Sequence, residues 1–405
     1  MFPTERFRDK NILVGITGGI AAYKTIELIR FLVTHRANVH VVMTTAAEKF
    51  VTRLTLETLS QNPVGVELFP EGEFTGTHHI HLADRIDAAI IAPASYNFIG
   101  KIASGIADDL LTTIVAALHC PIVIAPAMNV HMWENPILQH NLEHLRGLDY
   151  LVCPPEEGFL AEGYSGMGRL APLHHLLQYL YRALHPERTS LEGKQVLITA
   201  GRTEEPIDPV RILTNRASGK MGFALAWEAF ARGARVILLN GNSTLPYPAE
   251  VTTVPVNTAA DMWKAVEKYF PGSDVYLSSA AIADYTPVTT ASGKIKKQAT
   301  RMELPLKPTV DILAEIGKRR LEKQILVGFA VETDDPEEHA REKLQRKNLD
   351  FIVLNNPLEK GAGFGTDTNR VTILAKDGSS ETLPLMPKLD VAFHIFEKIT
   401  RLLKE

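Results

Sequence analysis

Two segments of the chain share one plan: a strand, a glycine-bearing turn, an amphipathic helix and a second strand. They cover residues 10–44 and 194–241, and the second carries a longer loop after its first strand. Within each segment the spacing of apolar residues changes from a continuous strand run to a helical period and back. A unit of this kind joins two parallel strands and covers the sheet with a helix. The chain is therefore predicted to form α/β domains with parallel sheets.

The two segments open two separate domains. A length of 405 residues exceeds what one core of ordinary size requires. Between the segments, residues 183–195 are polar and contain Pro186 and Gly193, a composition typical of a domain boundary. We place the boundary near residue 190, which gives Rossmann-like domains at residues 1–190 and 191–405. Further predicted strands cover residues 87–95, 120–128, 149–155, 274–285, 324–333, 350–357 and 370–378.

Net charge, apolar runs and cysteine content argue against a nucleic-acid-binding, a membrane-spanning or a disulfide-rich protein. The net charge of −4 argues against a nucleic-acid surface, and no apolar run of about 18 residues offers a membrane span. The two cysteines, Cys120 and Cys153, give no disulfide framework, which favours a reducing compartment. The N-terminus resembles a signal peptide, but Glu5 and Asp9 interrupt its basic region and three glycines interrupt its apolar run. We expect a cytoplasmic protein with no membrane and no nucleic-acid partner.

Small and polar residues follow the predicted strands of the first half, where ligands bind in open α/β sheets. Two glycines open the first helix, and backbone N–H groups there favour a phosphate, although many α/β proteins have such a turn without a phosphate. Hydroxyl and amide side chains end the next strands. These strand-end residues are Gly18, Gly19, Thr44, Ser95, Asn97 and Asn129. They are candidates for one ligand site.

Three histidines, His78, His79 and His81, precede the third predicted strand. We expect a polar, extended loop here, in which His79 and His81 share one face. No carboxylate or cysteine stands at a ligand spacing, so no metal site is predicted. Two interpretations stay open: ordinary surface histidines, or a histidine held as a base beside a bound cofactor, since imidazole titrates near neutral pH.

Four motifs of the first half occur in one order: "GGIAAYK", "HIHL", "APASYN" and "PAMNVHMW". With them, residues 10–180 resemble the flavin-binding cysteine decarboxylase family, and within it the phosphopantothenoylcysteine decarboxylases. The resemblance implies a flavodoxin-like fold and FMN bound partly at a subunit interface of a trimer. The FMN contacts that it implies are Gly18, Gly19, Thr44, Ser95 and Asn97. It also implies that His79 is the active-site histidine and that Asn129, with Met128, holds the substrate carboxylate.

The chemistry of a cysteinyl substrate supports a flavin. Loss of CO₂ from its carboxylate would leave a carbanion with nothing to take up the electrons. Oxidation of the carbon that bears the thiol places a thiocarbonyl β to the carboxylate, and this group can accept the electron pair. Flavin is suited to that oxidation and to the later return of the hydride.

The second half carries a different set of candidate residues. The motif "ASGKMG" (217–222) opens the second helix, but it lacks the spacing of a P-loop. Asp284 ends a predicted strand, and residues 293–298 carry three lysines that suit a phosphoryl or nucleotidyl transition state. Lys343 and Lys347 stand four apart on one predicted helix face. A solvated basic loop and an exposed helix face are the alternative interpretations of these lysines.

Together, seven motifs of residues 191–400 resemble the phosphopantothenate–cysteine ligases of the bacterial, CTP-using type. They are "EPIDPVR", "TNRASGKMG", "AAIADY", "GKIKKQ", "PTVDIL", "GFAVET" and "KLQRKN". The resemblance implies that Lys294 is the catalytic lysine, that Asn215 binds the acyl intermediate, and that this half dimerises. The implied CTP contacts are Ala280, Ala281, Asp284, Pro308, Thr309, Val310, Asp311, Phe329, Lys343 and Lys347. Mg²⁺ is expected to offset the triphosphate charge, and its protein ligands are not predicted.

The two resemblances imply consecutive reactions on the route to coenzyme A. The ligase joins 4′-phosphopantothenate to cysteine through an acyl cytidylate, releasing pyrophosphate and then CMP. The decarboxylase converts the resulting 4′-phosphopantothenoylcysteine to 4′-phosphopantetheine. Three alternatives stay open: a flavoprotein that decarboxylates peptide C-terminal cysteines, a dinucleotide-dependent reductase, and a flavin-binding regulator without activity. The reductase is disfavoured because neither glycine turn reads G-x-G-x-x-G with an acidic residue about 20 positions on.

One departure from the first family falls on residues 158–171, "GFLAEGYSGMGRLA", which we call the flap. In the family, a flap cysteine donates the proton in the final reduction of the enethiol. Here Glu162 occupies that position, and Leu170 replaces a methionine. Three hypotheses stay open: Glu162 is the acid if burial raises its pKa, the proton comes from elsewhere, such as water or Tyr164, or this half releases an unreduced enethiol or is impaired.

Overall fold

The computed structural model describes residues 4–69, 78–297, 302–331, 335–355, 359, 361–363 and 365–404. The chain divides into two compact units, residues 2–188 and 189–405. None of the described helices has the length and apolar character needed to cross a membrane.

The strands of the N-terminal unit are β1 (Asn11–Ile16), β2 (Asn38–Met43), β3 (Ala88–Ala94), β4 (Ile122–Pro126), β5 (Leu151–Val152), β6 (Glu156–Phe159) and β7 (Ser165–Arg169). Its helices are α1 (Thr4–Phe7), α2 (Thr25–Thr34), α3 (Arg53–Ser60), α4 (His78–Ala83), α5 (Tyr96–Ala103), α6 (Leu110–Ala117), α7 (Val130–Trp133), α8 (Pro136–Gly147) and α9 (Leu173–Ala183). Short 3-10 helices cover Ile20–Lys24 and Ala47–Lys49.

The first five strands form one parallel sheet in the order β2-β1-β3-β4-β5. All seven residues of β3 are buried, as expected for a strand covered by helices on both faces. This strand order is the flavodoxin-like one, so the predicted fold class is confirmed. The order reverses between β1 and β3, and ligands bind outside the carboxyl ends of the strands at such a point.

The histidine segment differs from its sequence-based prediction. Residues His78–Ala83 form helix α4 rather than an extended loop. Because residues two apart on an α-helix point in different directions, His79 and His81 do not share a face. The segment "HIHLA" is apolar at every second position and also fits a short helix, and six residues are too few for periodicity to separate the two.

The strands of the C-terminal unit are β8 (Gln195–Gly201), β9 (Glu204–Pro206), β10 (Ile212–Thr214), β11 (Arg235–Gly241), β12 (Thr252–Val256), β13 (Val275–Ser278), β14 (Tyr285–Pro287), β15 (Leu306–Pro308), β16 (Ile325–Val331), β17 (Phe351–Asn355), β18 (Thr368–Asn369), β19 (Val371–Ala375), β20 (Ser380–Thr382) and β21 (Met386–Pro387). Its helices are α10 (Lys220–Ala231), α11 (Ala259–Tyr269), α12 (Ile312–Arg319), α13 (Pro336–Arg346) and α14 (Lys388–Leu402).

The main sheet of this unit has eight strands in the order β12-β11-β8-β13-β16-β17-β19-β20. The first six are parallel and have the dinucleotide-fold order, with the reversal between β8 and β13. The last two are antiparallel, whereas the sequence predicted a parallel sheet throughout. No helix occurs in the described part of residues 356–370, and a parallel return needs a crossover of a dozen or more residues, usually helical.

The predicted strand 274–285 is shorter than expected. Strand β13 ends at Ser278, and the chain then leaves the sheet. Backbone N–H groups of this departing segment bond to the loop that follows β8: Ala281 donates to the Gly201 carbonyl at 2.9 Å and Ala283 to Thr203 Oγ1 at 2.9 Å. These bonds bring the segment over the carboxyl edge of the sheet.

Candidate active sites

A cleft of about 530 Å³ lies at the carboxyl edge of the N-terminal sheet. Its walls come from the β1–α2 turn, the end of β3, the β4–α7 turn and the flap. The lining residues include Gly18, Gly19, Tyr23, Lys24, Ser95, Tyr96, Met128, Asn129, Met132, Phe159, Leu160, Glu162, Gly168 and Arg169. We call it the N-terminal cleft. It coincides with the β1/β3 reversal, where the fold places its ligand.

Thr17 holds the two strand ends together at this reversal. Its hydroxyl donates to the Pro93 carbonyl at 2.7 Å and accepts from the Ser95 backbone N–H at 2.8 Å. The neighbouring Gly18 is required by packing, because a Cβ there would lie 2.5 Å from the Ala46 Cβ. At Gly19 a Cβ would meet only one atom, at 3.9 Å, so its backbone is open to the cleft.

The flap is built on the β6–β7 hairpin and is attached to the β4–α7 turn by two hydrogen bonds. The Met128 N–H donates to the Gly168 carbonyl at 3.0 Å. Asn129 Nδ2 donates to the Tyr164 hydroxyl at 2.5 Å. Gly168 has φ of 149°, and a Cβ there would lie 2.1 Å from the Met128 carbonyl oxygen. Only glycine therefore allows the flap to approach Met128 and Asn129 this closely.

Glu162 lies at the tip of the flap. The Gly163 N–H donates to the Leu160 carbonyl at 3.1 Å, and the Leu160 N–H donates to the Tyr164 carbonyl at 2.8 Å. These bonds form a tight turn in which Gly163 has φ of 91°. The Glu162 side chain lines the cleft but is exposed to solvent. The burial that the general-acid hypothesis requires is therefore absent from this conformation of the flap.

Three residues that the resemblance implied lie outside the lining of the N-terminal cleft. Asn97 is exposed on α5, and His79 is half-buried near the start of α4. Thr44 follows β2, and its hydroxyl oxygen is buried without a hydrogen-bond partner among the described residues. A buried hydroxyl without a hydrogen-bond partner lowers the stability of the fold. Of these three residues, Thr44 is therefore the one that would gain most from a hydrogen bond to a ligand.

Two cationic residues of the cleft were missed as site residues by the sequence reasoning. Lys24 ends the 3-10 helix after Gly19, and Arg169 ends β7 in the flap. Burial and the nearby Arg169 charge lower the pKa of Lys24, while Glu156 and Glu27 act in the opposite direction. Both residues stand in segments quoted above, Lys24 at the end of "GGIAAYK" and Arg169 in the flap, but the sequence pattern does not show that they line the same cleft.

In the C-terminal unit, one buried carboxylate fixes the lysine loop, residues 293–297. Asp208 Oδ1 accepts from two backbone N–H groups of its own turn at 2.8 Å each, and Oδ2 accepts from the Ile295 N–H at 3.1 Å. Arg211 Nη2 also donates to the Ile295 carbonyl at 2.5 Å. Lys294 itself is exposed and forms no hydrogen bond or ion pair with a described residue. Asp208 is thus a functional candidate that the sequence reasoning did not select.

Several of the implied CTP contacts are joined by hydrogen bonds at the carboxyl edge of the C-terminal sheet. The Thr309 N–H donates to the Asp284 carbonyl at 2.9 Å, and Lys347 Nζ donates to Asp311 Oδ1 at 2.8 Å. Burial works against ionisation of Asp311, but the hydrogen bond and charge of Lys347, with Arg346, outweigh it and hold its pKa below the usual value. Asp311 is therefore ionised near neutral pH and pairs with Lys347.

Asn215 reaches the same edge from the β10–α10 loop. Its Nδ2 donates to the Ala281 carbonyl at 3.2 Å, and Ala281 lies over the end of β8. The implied residues connected at this edge through backbone or hydrogen bonds are Asn215, Ala280, Ala281, Asp284, Pro308, Thr309, Val310, Asp311 and Lys347. Lys343 lies one helical turn before Lys347 on α13.

A small crevice of about 90 Å³ lies at the start of α10, and Phe329 is part of its wall. Gly222 faces the sheet here, and a Cβ would lie 2.4 Å from the Ala200 Cβ, so this glycine serves helix–strand packing rather than a ligand. Lys388 Nζ donates to the Thr366 and Thr368 carbonyls at 2.7 and 2.9 Å. Burial, with the nearby Lys220 charge, lowers the pKa of Lys388 to about 8.

Two family models match the chain. Residues 3–185 match the Flavoprotein family, and residues 191–403 match the DNA/pantothenate metabolism flavoprotein C-terminal domain. The ranges follow the two units of the structure. The first family is consistent with a flavin in the N-terminal cleft.

Relatives match over nearly the whole chain. Coenzyme A biosynthesis bifunctional protein CoaBC of Bacillus subtilis (strain 168) is 48% identical over 399 residues, 98% of each chain. The protein of the same name from Haemophilus influenzae (strain ATCC 51907 / DSM 11121 / KW20 / Rd) is 41% identical over 395 residues, 97% of this chain and 98% of the relative. A cysteine/cysteine sulfinic acid decarboxylase from an unknown prokaryotic organism is 43% identical over 356 residues, 87% of this chain and 99% of the relative.

Both family models match this one chain, and the relatives of the same length cover nearly all of it. The chain belongs to the family of bifunctional coenzyme A biosynthesis flavoproteins.

Proposed function

We propose that the chain is a bifunctional enzyme that ligates 4′-phosphopantothenate to cysteine with CTP and then decarboxylates the product to 4′-phosphopantetheine. Residues 1–190 act as the decarboxylase and residues 191–405 as the ligase. The observation that carries the proposal is the full-length match to bifunctional relatives, 48% identical over 98% of both chains for one of them. Cys120 and Cys153 are not joined in a disulfide, which fits a cytoplasmic site of action.

FMN is the flavin that we assign to the N-terminal cleft. The residues present fit it, since the cleft has a volume of about 530 Å³ and Gly19 leaves its backbone open at the end of β1. Of the implied contacts, Gly18, Gly19 and Ser95 line the cleft and would hold it there, whereas Thr44 and Asn97 lie outside the cleft lining of their own chain. When bound, FMN supplies the two-electron oxidation of the thiol-bearing carbon and its reversal.

Asn129 and the flap handle the cysteinyl end of the substrate. The Asn129 amide, with Met128, is the donor that we assign to the substrate carboxylate, and its Nδ2 is at present bonded to the Tyr164 hydroxyl. An arriving carboxylate can replace the phenol as acceptor, since a charged acceptor binds an N–H more strongly. The flap then covers the reacting carbons and excludes water from them.

We assign His79 as the base that accepts the thiol proton. His79 is not part of the cleft lining of its own chain, so this role depends on the trimer, in which the cofactor lies partly at a subunit interface. Exposed apolar side chains on the rim of the cleft support such an interface, because a surface that stays in water rarely carries so many together. They are Ile20 at 59%, Tyr23 at 56%, Met132 at 43% and Phe159 at 68% exposure.

In the ligase half, the carboxylate of 4′-phosphopantothenate attacks the α-phosphate of CTP. The P–O bond to pyrophosphate breaks, and an acyl cytidylate forms. The cysteine amine then attacks the acyl carbon and releases CMP, while Asn215 holds the acyl region. Lys294 lies on a loop that Asp208 anchors through the Ile295 N–H. Its ammonium group offsets the negative charge that develops on the phosphate oxygens in the transition state. The second half is expected to act as a dimer.

CTP is assigned to the carboxyl edge described above. The residues that would contact it are Ala280, Ala281, Asp284, Pro308, Thr309, Val310, Asp311, Phe329, Lys343 and Lys347. Among the described residues no group of three or more His, Cys, Asp or Glu side chains is arranged to hold a metal. Mg²⁺ in this half therefore fits best as an ion carried mainly by the triphosphate, which is its usual mode with nucleotides.

Mass spectrometry of the products tests the proposal. The purified protein is incubated with 4′-phosphopantothenate, cysteine, CTP and Mg²⁺, with cysteine alone and cysteine sulfinate alone as separate reactions. We expect pyrophosphate, CMP and 4′-phosphopantetheine from the complete mixture and no decarboxylation of either free amino acid. Decarboxylation of free cysteine without CTP would instead favour the activity named for the 43% identical relative.

A further inference from the structure

Two cations, Lys24 and Arg169, line the N-terminal cleft. Lys24 is half-buried at the end of the 3-10 helix, and Arg169 is exposed at the end of β7. Both line the cleft, and neither forms an ion pair or a side-chain hydrogen bond with any residue that the structure describes. They are close enough that the Arg169 charge lowers the pKa of Lys24.

The nearby carboxylates do not neutralise this pair. Glu156 is opposite Arg169 in the β6–β7 register, but its carboxylate lies 3.5 Å from His175 Nδ1 instead. Glu27 is exposed on α2. Glu162 also lines the cleft, but it is exposed at the tip of the flap and forms no ion pair with either cation. A dianion in the cleft would therefore be attracted by both Lys24 and Arg169.

Gly158 determines where the Arg169 guanidinium lies. A Cβ at Gly158 would come within 2.8 Å of Arg169 Nη1 and 2.7 Å of its Cδ. The side chain thus folds across the bare backbone of β6 at the base of the flap. Lys24 faces this base as well, since its charge interacts with both Glu156 and Arg169, the paired residues there.

We propose that Lys24 and Arg169 form a subsite for a phosphate monoester, and that its occupant is the terminal phosphate of the decarboxylase substrate. This inference rests on the proposed decarboxylase function. A phosphate monoester carries about −1.5 to −2 charges at pH 7 and three acceptor oxygens, which matches one ammonium and one guanidinium. The pair then separates phosphorylated cysteinyl substrates from unphosphorylated ones.

The phosphate of the flavin is the other phosphate monoester that could bind to Lys24 and Arg169. Two features favour the substrate. Open backbone at the β1/β3 reversal, at Gly19, already offers a phosphate site of the usual type for this fold. Arg169 also directly follows Gly168, which bonds to Met128 beside the carboxylate-binding Asn129. The cation pair is thus attached to the flap that handles the substrate.

The test compares two ligands on the flavin-loaded protein. Calorimetry measures the affinity of 4′-phosphopantetheine and of pantetheine for the wild type, Lys24→Met and Arg169→Gln. The matched control is Arg30→Gln, on the exposed face of α2 and outside the cleft lining. We expect each cleft variant to weaken the phosphorylated ligand by at least about tenfold, to leave pantetheine binding and flavin content unchanged, and the control to match the wild type.

Two results would overturn the inference: an equal effect on both ligands, or loss of bound flavin, which would assign the pair to the cofactor phosphate. An unchanged unfolding midpoint and unchanged pantetheine binding exclude misfolding of a variant. Turnover is scored separately, as CO₂ release from 4′-phosphopantothenoylcysteine by the wild type. A wild type that binds the phosphorylated ligand selectively but releases no CO₂ would refute the proposed function while supporting the subsite.

Discussion

At the scale of single residues, the most informative position is Glu162, where the flap has a carboxylate in place of the family's proton-donating cysteine. Its side chain lines the N-terminal cleft, whereas Tyr164 is not among the lining residues. Closure of the flap over a substrate would bury Glu162, and burial favours the protonated form that can donate. Of the two side-chain donors considered, the geometry favours Glu162.

Glu162→Gln removes the transferable proton and keeps the size of the side chain. We expect the final reduction of the product to slow by about a hundredfold or more, because general-acid catalysis typically contributes that much. Stopped-flow recovery of oxidised-flavin absorbance after substrate mixing measures this step. Recovery at the wild-type rate would eliminate Glu162 and leave water or Tyr164 as the source.

Asp208 is the residue on which the position of the lysine loop depends. Asp208→Ala removes three hydrogen bonds to backbone N–H groups, one of them to Ile295 beside Lys294. We expect the kcat for ligation to fall by roughly tenfold or more, while decarboxylation of supplied 4′-phosphopantothenoylcysteine is unchanged. Asp377→Ala is the matched control, since Asp377 also caps a turn of this unit, by accepting from the Ser379 N–H at 2.8 Å. An equal loss of ligation kcat in both variants would show that Asp208 contributes only to the stability of the unit.

Lys388 makes the free energy of unfolding depend on pH, and the direction of this dependence follows from the lowered pKa of Lys388. In the folded protein this pKa is about 8, below the ordinary value of 10.5, so the unfolded chain holds the proton more tightly. The contribution of Lys388 to the free energy of unfolding therefore rises between pH 8 and 10.5. We expect the stability difference between wild type and Lys388→Met to shift in favour of the wild type over this range. Denaturant unfolding at several pH values measures it, and a flat difference would contradict the assignment.

At the scale of secondary-structure elements, a close approach at Gly168 holds the flap against the β4–α7 turn. Gly168→Ala would place a Cβ 2.1 Å from the Met128 carbonyl at a φ of 149°. We expect the flap to detach from Asn129, with a loss of about 1–3 kcal/mol in unfolding free energy and most of the decarboxylase activity, but normal ligation.

The matched control for this flap variant is Gly147→Ala. Gly147 ends α8, and a Cβ there meets no atom within 4 Å. We expect this substitution to be neutral or slightly stabilising, because alanine suits a helix better than glycine. Normal decarboxylase activity in Gly168→Ala would show that the close approach at Met128 is unnecessary.

The sequence predicted helices and strands well where the apolar pattern was long, and less well where tertiary contacts determine the type or the end of an element. Strands β1 and β8 with their following turns could be predicted because continuous buried runs end in glycine. The helix at His78–Ala83 was missed because six residues carry too little periodicity. The early end of β13 was missed because the bonds that draw Ala281 and Ala283 away come from a loop about 80 residues earlier in the chain.

The candidate sites show the same limit. Gly19, Ser95 and Asn129 follow strands, so topology alone predicted that they meet. Lys24 and Arg169 come from elements that are not strand ends of the sheet, and Asp208 acts through backbone N–H groups. Their roles depend on side-chain direction and loop packing, neither of which the sequence pattern records.

At the scale of the whole molecule, we propose that the two α/β units catalyse consecutive reactions. In this assignment, the product of the C-terminal unit is the substrate of the N-terminal unit. A defect in the N-terminal unit should therefore lead to accumulation of 4′-phosphopantothenoylcysteine, and a defect in the C-terminal unit should prevent its formation. Substitutions in the two units should therefore act independently of each other, as expected for sites that share no residues.

The most direct measurement follows the masses formed from 4′-phosphopantothenate, CTP, Mg²⁺ and carboxyl-labelled ¹³C-cysteine by three proteins. The wild type should form 4′-phosphopantetheine and release ¹³CO₂. Asn129→Asp, which sets a carboxylate against the substrate carboxylate, should accumulate labelled 4′-phosphopantothenoylcysteine, and Lys294→Gln should form neither product. A wild type that makes no 4′-phosphopantothenoylcysteine, or a Lys294→Gln protein that still makes it at the normal rate, would contradict the account.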